Sequence, residues 1–278
     1  MSSLEELLAR PVSELKRLYG EEGRSVPRGL LAALETDARR GARELAKTIR
    51  ARRRRNRAEG QRLRKLLQFE SELWADGLTR VAGVDEAGMA PLAGAVTAAA
   101  VILPVGYKLP GLDDSKKILD EERRRELAAR VKHDAVCWSV GWAEVEEIDR
   151  LNIYHAGLLA MSRAVEGLRV RPEFVLVDAR RIPGCECPQR GIVRGDTLSA
   201  SIAAAAIIAK TTRDAYMCEL DRRFPGYGLA SHKGYPTPHH YRALRELGPL
   251  PVHRRSFSPV RQALGLDPVQ SELFRNDE

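Results

Sequence analysis

Cysteine is scarce in this 278-residue chain: Cys137, Cys185, Cys187 and Cys218 are the whole set. Only Cys185-Glu186-Cys187 is a close pair, and without a second cluster it makes a weak metal site. Reduced thiols in a cytoplasmic chain are the expectation. Long apolar runs are also missing. The longest, Ala90 to Val105, is too short and too rich in alanine to span a bilayer. The opening residues, MSSLEELLAR, carry acids early and lack the apolar centre of a signal peptide. No repeat of solenoid period is present. His232, His239 and His240 form no spaced metal set and read as loop histidines. The expectation is a soluble protein with no membrane partner.

Positive charge, by contrast, is plentiful and uneven. The net charge is +8 with a pI near 9.5, which points to an anionic partner. Between Arg39 and Lys65 there are thirteen Lys/Arg and two acids, so that segment carries +11 and the remainder −3. Residues 1–76 show leucines at helical spacing and almost no strand signal, with a turn around Gly23 to Pro27. They read as a basic helical extension that contacts nucleic acid. Residues 77–278 form the second domain.

From Arg80 the texture changes. Val81–Val84, Val96–Leu103, Val136–Trp142 and Phe174–Val177 read as strands. Leu119–Lys132, with Asp120 as N-cap, and Ala156–Leu168, Leu198–Lys210 and His240–Leu247 read as helices. Strands alternating with helices indicate an α/β fold. Three strand-like segments lead into acids: Val84 into Asp85-Glu86, Val177 into Asp178, and Ile192–Gly195 into Asp196. Sites in such sheets collect at strand ends, so four carboxylates can meet. Bare acids so close repel, and a hard divalent cation removes that problem. Neighbours in a strand face opposite sides, so Asp85 and Glu86 share a site only if the strand ends or twists there.

The motifs GVDEAG…PLAG, LDDSKK, EEIDRLNIYHAG…AM, FVLVDA, VRGDTLSASIAAAAIIAKTTRD, FPGYGLASHKGYPT and HRRSF resemble, in order and spacing, those of bacterial ribonuclease HII. The resemblance covers about residues 80–260, and the basic segment before it resembles the longer form of the family. It implies a ribonuclease H fold: a mixed five-stranded sheet flanked by helices, here with an N-terminal helical extension and a C-terminal helical and loop region. It implies cleavage of RNA in RNA–DNA hybrids and incision 5′ to ribonucleotides embedded in duplex DNA. These are tasks of DNA repair and replication. It implies two Mg²⁺ or Mn²⁺ ions held by Asp85, Glu86, Asp178 and Asp196, and a monomer is expected.

The resemblance also assigns substrate contacts. Gly88, Met89 and Ala90 occupy the loop that reads the ribose 2′-hydroxyl. By their own chemistry Ser115 and Lys116 offer a hydroxyl and a cation on a loop, suited to a phosphate; Lys210 reads as either a phosphate contact or a surface charge. Tyr235 matches the family tyrosine that stacks on a sugar. His253 to Ser256 is expected to touch the nucleic-acid backbone. The family usually has Gly-Arg-Gly at residues 88–90, Gly at Ala179, and Ser and Thr at Ala206 and Gly157. These departures bear on efficiency and substrate preference. The alternative reading is a hybrid-binding module with impaired catalysis; retention of all four acids favours the enzyme.

Overall fold

The computed structural model describes residues 3–266. The chain forms two compact units, Met1–Arg64 and Lys65–Glu278. The first contains α1 (Leu4–Ala9), α2 (Val12–Leu15), a π-helical turn (Lys16–Glu21), α3 (Leu30–Thr36) and most of α4 (Arg40–Leu66). The helical spacing of its leucines becomes a small core of Leu15, Leu18, Leu30, Leu34, Leu45 and Ile49. Arg53, Arg54, Arg55 and Arg57 of α4 remain exposed.

The second unit runs α5 (Gln68–Ala75), β1 (Val81–Ala87), β2 (Val96–Ile102), α6 (Glu121–Asp134), β3 (Cys137–Ala143), α7 (Val145–Leu151), α8 (Ile153–Glu166), β4 (Phe174–Asp178) and β5 (Gln189–Ile192). It continues with α9 (Gly195–Leu198), α10 (Ala200–Arg223), α11 (Leu229–His232), α12 (Pro238–Leu247) and α13 (Ser258–Ala263). The strands form a mixed five-stranded sheet ordered β3-β2-β1-β4-β5. Here β1 is antiparallel to β2 and parallel to β4, and β4 is parallel to β5.

Alternation along β1 decides which helix covers which face. Ala82 and Val84 pack with Ala156, Ala160, Met161 and Ala164 of α8. Gly83 turns the other way, against α10. A β-carbon there would lie 2.0 Å from the Ser201 carbonyl carbon, so only glycine permits this approach. The alanine run 203–206 is buried along the same helix.

Most expected elements form within a residue or two. Asp120 caps α6, its carboxylate accepting from the Glu122 and Arg123 amides. Two differ. The fifth strand covers Gln189–Ile192 and ends before Arg194, which takes a left-handed φ of 60°. The helix expected over Leu198–Lys210 is interrupted at Ser199 and then extends to Arg223. Ser199 is extended, and its hydroxyl caps α10 by accepting from the Ile202 amide. Residues 65–76 pack with the second unit: Phe69, Leu73 and Trp74 lie against Val81, Leu176, Ile192 and Ile202.

Candidate active site

Two parallel strands carry the first acids. Val84 of β1 pairs with Val177 of β4. The next residue in each strand is an acid, Asp85 and Asp178, on strands about 4.8 Å apart. Asp196 arrives on α9, where the Gly195 amide donates to Asp178 Oδ1 at 2.7 Å. Alternation sends Asp85 to the α10 face and Glu86 to the α8 face. Glu86 meets Arg180 there, with Nη2 3.2 Å from Oε1. The Glu86 amide also donates to Asp85 Oδ1 at 2.7 Å.

The electrostatics are those of crowded acids. Burial holds the Asp85 carboxyl well above the usual carboxylate range, and Glu86, Asp178 and Asp196 push it further up. Burial also raises Glu86, against the pull of Arg180. Asp196 is raised by burial and then by Asp114 and Asp178. Lys116 answers this charge, its Nζ 3.7 Å from Asp196 Oδ2. Burial alone would lower the Lys116 ammonium, but Asp196, Asp85, Asp114 and Asp178 outweigh it and raise it.

Among the described residues, no three His, Cys, Asp or Glu side chains stand converged on a metal position. Each acid is turned to a local partner instead: Asp85 to the Glu86 amide, Asp178 to the Gly195 amide, Glu86 to Arg180, Asp196 toward Lys116. The donor chemistry nevertheless fits a hard cation. All four are oxygen donors, three with ionisation suppressed, and Glu86 Oε2 is buried with no hydrogen-bond partner. Such an oxygen is costly to leave bare. The strand registers fix the main chain, so convergence on an ion requires side-chain rotation.

The expected substrate residues gather unevenly. Gly88, Met89 and Ala90 directly follow β1; Gly88 is buried, Met89 half-buried and Ala90 exposed. Gly88 has φ 98°, and a β-carbon there would lie 2.1 Å from Arg213 Nε. Ser115 is buried, whereas Lys116 reaches the acids. Lys210 pairs with Asp214 at 2.6 Å and lies 6.0 Å from the centroid of the exposed Tyr235 ring. His253 and Arg254 are fully buried and cannot touch nucleic acid. Arg254 serves the Gly88 and Met89 carbonyls, and Arg255 and Ser256 donate main-chain amides to Asp149. Nor are the three histidines in loops: His232 ends α11, and His239 and His240 lie on α12. His240 is the buried one, its Nε2 3.0 Å from His253 Nε2.

Sequence reasoning passed over Arg180, Asp114 and Glu70. Arg180 follows Asp178 by two residues, and that adjacency was its only signal. Asp114 sat inside the LDDSKK motif as the unassigned acid beside Ser115. Glu70 carried no signal at all.

The Ribonuclease HII family model matches residues 82–260, and the Ribonuclease HII N-terminal domain model matches residues 12–74. The chain belongs to the ribonuclease HII family. It is 63% identical over 278 residues to ribonuclease HII of Myxococcus xanthus, covering 98% of this chain and 95% of that one. Ribonuclease HII of Anaeromyxobacter sp. is 58% identical over 270 residues, covering 97% and 85%. The crystal structure of ribonuclease H2 from Pyrococcus horikoshii matches with a TM-score of 0.57 and 23% identity, over 66% of this chain and 96% of that chain. That similarity supports the fold alone. Membership makes the chain a metal-dependent endoribonuclease of the ribonuclease H type. Among the described residues, no helix is long and apolar enough to cross a membrane.

Proposed function

We propose that this chain hydrolyses the RNA strand of RNA–DNA hybrids and incises 5′ to ribonucleotides embedded in duplex DNA. Its ligands for two Mg²⁺ or Mn²⁺ ions are Asp85, Glu86, Asp178 and Asp196. The observation that carries the reading is the β1–β4 register, which makes Asp85 and Asp178 neighbours, with the Gly195 amide tying Asp196 to them. Bound there, the ions supply positive charge to the attacking water and the leaving oxygen of the phosphodiester.

The chain's own residues do the remaining work. The loop from Gly88 to Ala90 meets the ribose. Lys116, its Nζ 3.7 Å from Asp196 Oδ2 and its side chain exposed, would meet a phosphate beside the acids. Tyr235 supplies an exposed ring for a sugar, with Lys210 beside it. Arg180 holds Glu86 by an ion pair of 3.2 Å and would orient its carboxylate as a ligand. The +11 segment grips the duplex through phosphates: Lys47, Arg50, Arg53, Arg54 and Arg57 lie together along one side of α4. The protein acts as a cytoplasmic monomer in the removal of ribonucleotides from DNA.

The test is a labelled duplex carrying one ribonucleotide, incubated with and without Mg²⁺. A single product ending 5′ to the ribonucleotide, formed only with metal, supports the reading. Binding without any cleavage across Mg²⁺ and Mn²⁺ would leave a hybrid-binding module.

A further inference from the structure

Two arginines are buried at 0% and 1% exposure, Arg254 and Arg213. Among the described residues neither forms a salt bridge. Every side-chain hydrogen bond they donate goes to a main-chain carbonyl. Arg213 donates to Ala93, Ala95 and Lys233, at 3.0, 3.1 and 3.0 Å. Arg254 donates to Gly88, Met89 and Gly94, at 2.6, 3.1 and 2.9 Å. Five of these six acceptors lie in one loop, residues 88–95, which leaves β1 at the acids and returns into β2. Burying two like charges together is costly, and burial followed by mutual repulsion pulls Arg254 down to about 9. It remains charged at neutral pH.

The orientation of these carbonyls has a geometric consequence. Every peptide bond among the described residues is trans. In a trans peptide the carbonyl of one residue and the amide of the next point in opposite directions. With the Gly88 and Met89 carbonyls turned to Arg254, the Met89 and Ala90 amides point away from it. Neither amide has an acceptor among the described residues. The Leu92 and Gly94 amides, by contrast, are taken by the Gly234 and Val252 carbonyls. Neither Met89 nor Ala90 has a positive φ. Both conformations are open to any L-residue.

We propose that Arg254 is a positioning residue for ribose recognition: it turns two carbonyls inward so that the Met89 and Ala90 amides stand as paired donors to the ribonucleotide. The proposal rests on the reading that this loop meets the ribose. Arg213 fixes the opposite side, occupying the space beside Gly88. A cradle of amides held from behind does not depend on the side chains at 89 and 90. Met-Ala therefore serves where the family usually has Arg-Gly.

The experiment uses the full chain, without divalent metal, and two duplexes of one sequence, one with a single ribonucleotide and one all-DNA. Amide resonances of Met89 and Ala90 and the two dissociation constants are measured for the native protein and Arg254→Lys. In the native protein both amides shift with the ribonucleotide duplex and not with DNA. In Arg254→Lys the preference for the ribonucleotide falls by about tenfold, the worth of one hydrogen bond, while DNA affinity is kept. A purely structural role would weaken both duplexes alike and would overturn the proposal. Native amides that respond to the ribose, combined with undiminished preference in Arg254→Lys, would also overturn it. Native amides that ignore the ribose would overturn the loop reading itself. If Arg254→Lys does not fold, Ala90→Pro removes one donor directly; an unchanged preference there defeats the proposal.

Discussion

Glu70 Oε1 accepts a hydrogen bond from the Ser201 amide at 2.8 Å and a second from the Ser199 hydroxyl at 2.5 Å. Glu70 is fully buried on α5. The Ser199 amide donates in turn to the Gly195 carbonyl at 2.8 Å, across the turn that carries Asp196. Removing residues 1–64 therefore leaves the site's support intact, whereas removing residues 1–76 takes it away. The shorter deletion is expected to weaken duplex binding and to flatten its salt dependence by roughly 0.9 in log–log slope per lost phosphate contact. Its single-turnover rate should stay near that of the full chain. The longer deletion should also lose rate and unfold at lower denaturant. Equal single-turnover rates for the two would deny Glu70 its supporting role.

Ala179 has a φ of 50°, a left-handed conformation that costs an alanine about 1 kcal/mol and costs glycine little. The family's usual glycine at this position follows from that geometry. Ala179→Gly should raise Tm by about 2–4 °C. A calorimetric scan showing no rise would mean the strain is relieved elsewhere.

His253 Nδ1 accepts from the Leu250 amide at 2.8 Å, so its proton sits on Nε2 and points at His240 Nε2. His240 then carries its proton on Nδ1, donated to the Tyr235 carbonyl at 3.0 Å. Both rings are neutral. Burial, and then His240, pull His253 from 6.5 down to about 4. The unfolded chain thus binds a proton more readily than the folded one between those values. Stability is full above pH 6.5 and is lost as pH falls toward 4, by up to about 3 kcal/mol. Urea midpoints of His253→Gln should fall less steeply across that window than those of the native protein. Parallel slopes would show that other groups govern the acid loss.

Most strands were legible because short apolar runs bounded by turn residues are a local signal, and the β1–β4 register that makes Asp85 and Asp178 neighbours follows from two such runs that each lead into an acid. The departures at Met89, Ala90, Ala179 and Gly157 were visible too, but not their consequences. Gly157 is where Arg180 and Met89 pack: a β-carbon there would lie 2.8 Å from Arg180 Nη1 and 3.0 Å from Met89 Sδ. Nothing local separates the buried Arg254 from the exposed Arg255 beside it, because partners 160 or more residues away decide which is buried. Glu70 was hidden for the same reason. Its partners lie 129 and 131 residues along the chain.

Crowded acids should destabilise the metal-free protein. Asp85 is raised by burial and by its neighbours, so the folded state loses stability as pH rises through its elevated pKa. Asp85→Asn should raise Tm at neutral pH without metal, by about 2–4 °C for each kcal/mol of repulsion removed. Added Mg²⁺ should then stabilise the native protein and not the variant. If the variant instead melts below the native protein in EDTA, Asp85 is held by attraction.

The most direct measurement is single-turnover cleavage of a duplex containing one ribonucleotide, with Mg²⁺, by native protein and Asp178→Asn, with binding measured alongside. Loss of a metal ligand removes several kcal/mol of charge stabilisation, so the rate should fall by about 100-fold or more while the dissociation constant stays nearly unchanged. A variant that cuts 5′ to the ribonucleotide at close to the native rate would contradict the assignment of the four carboxylates.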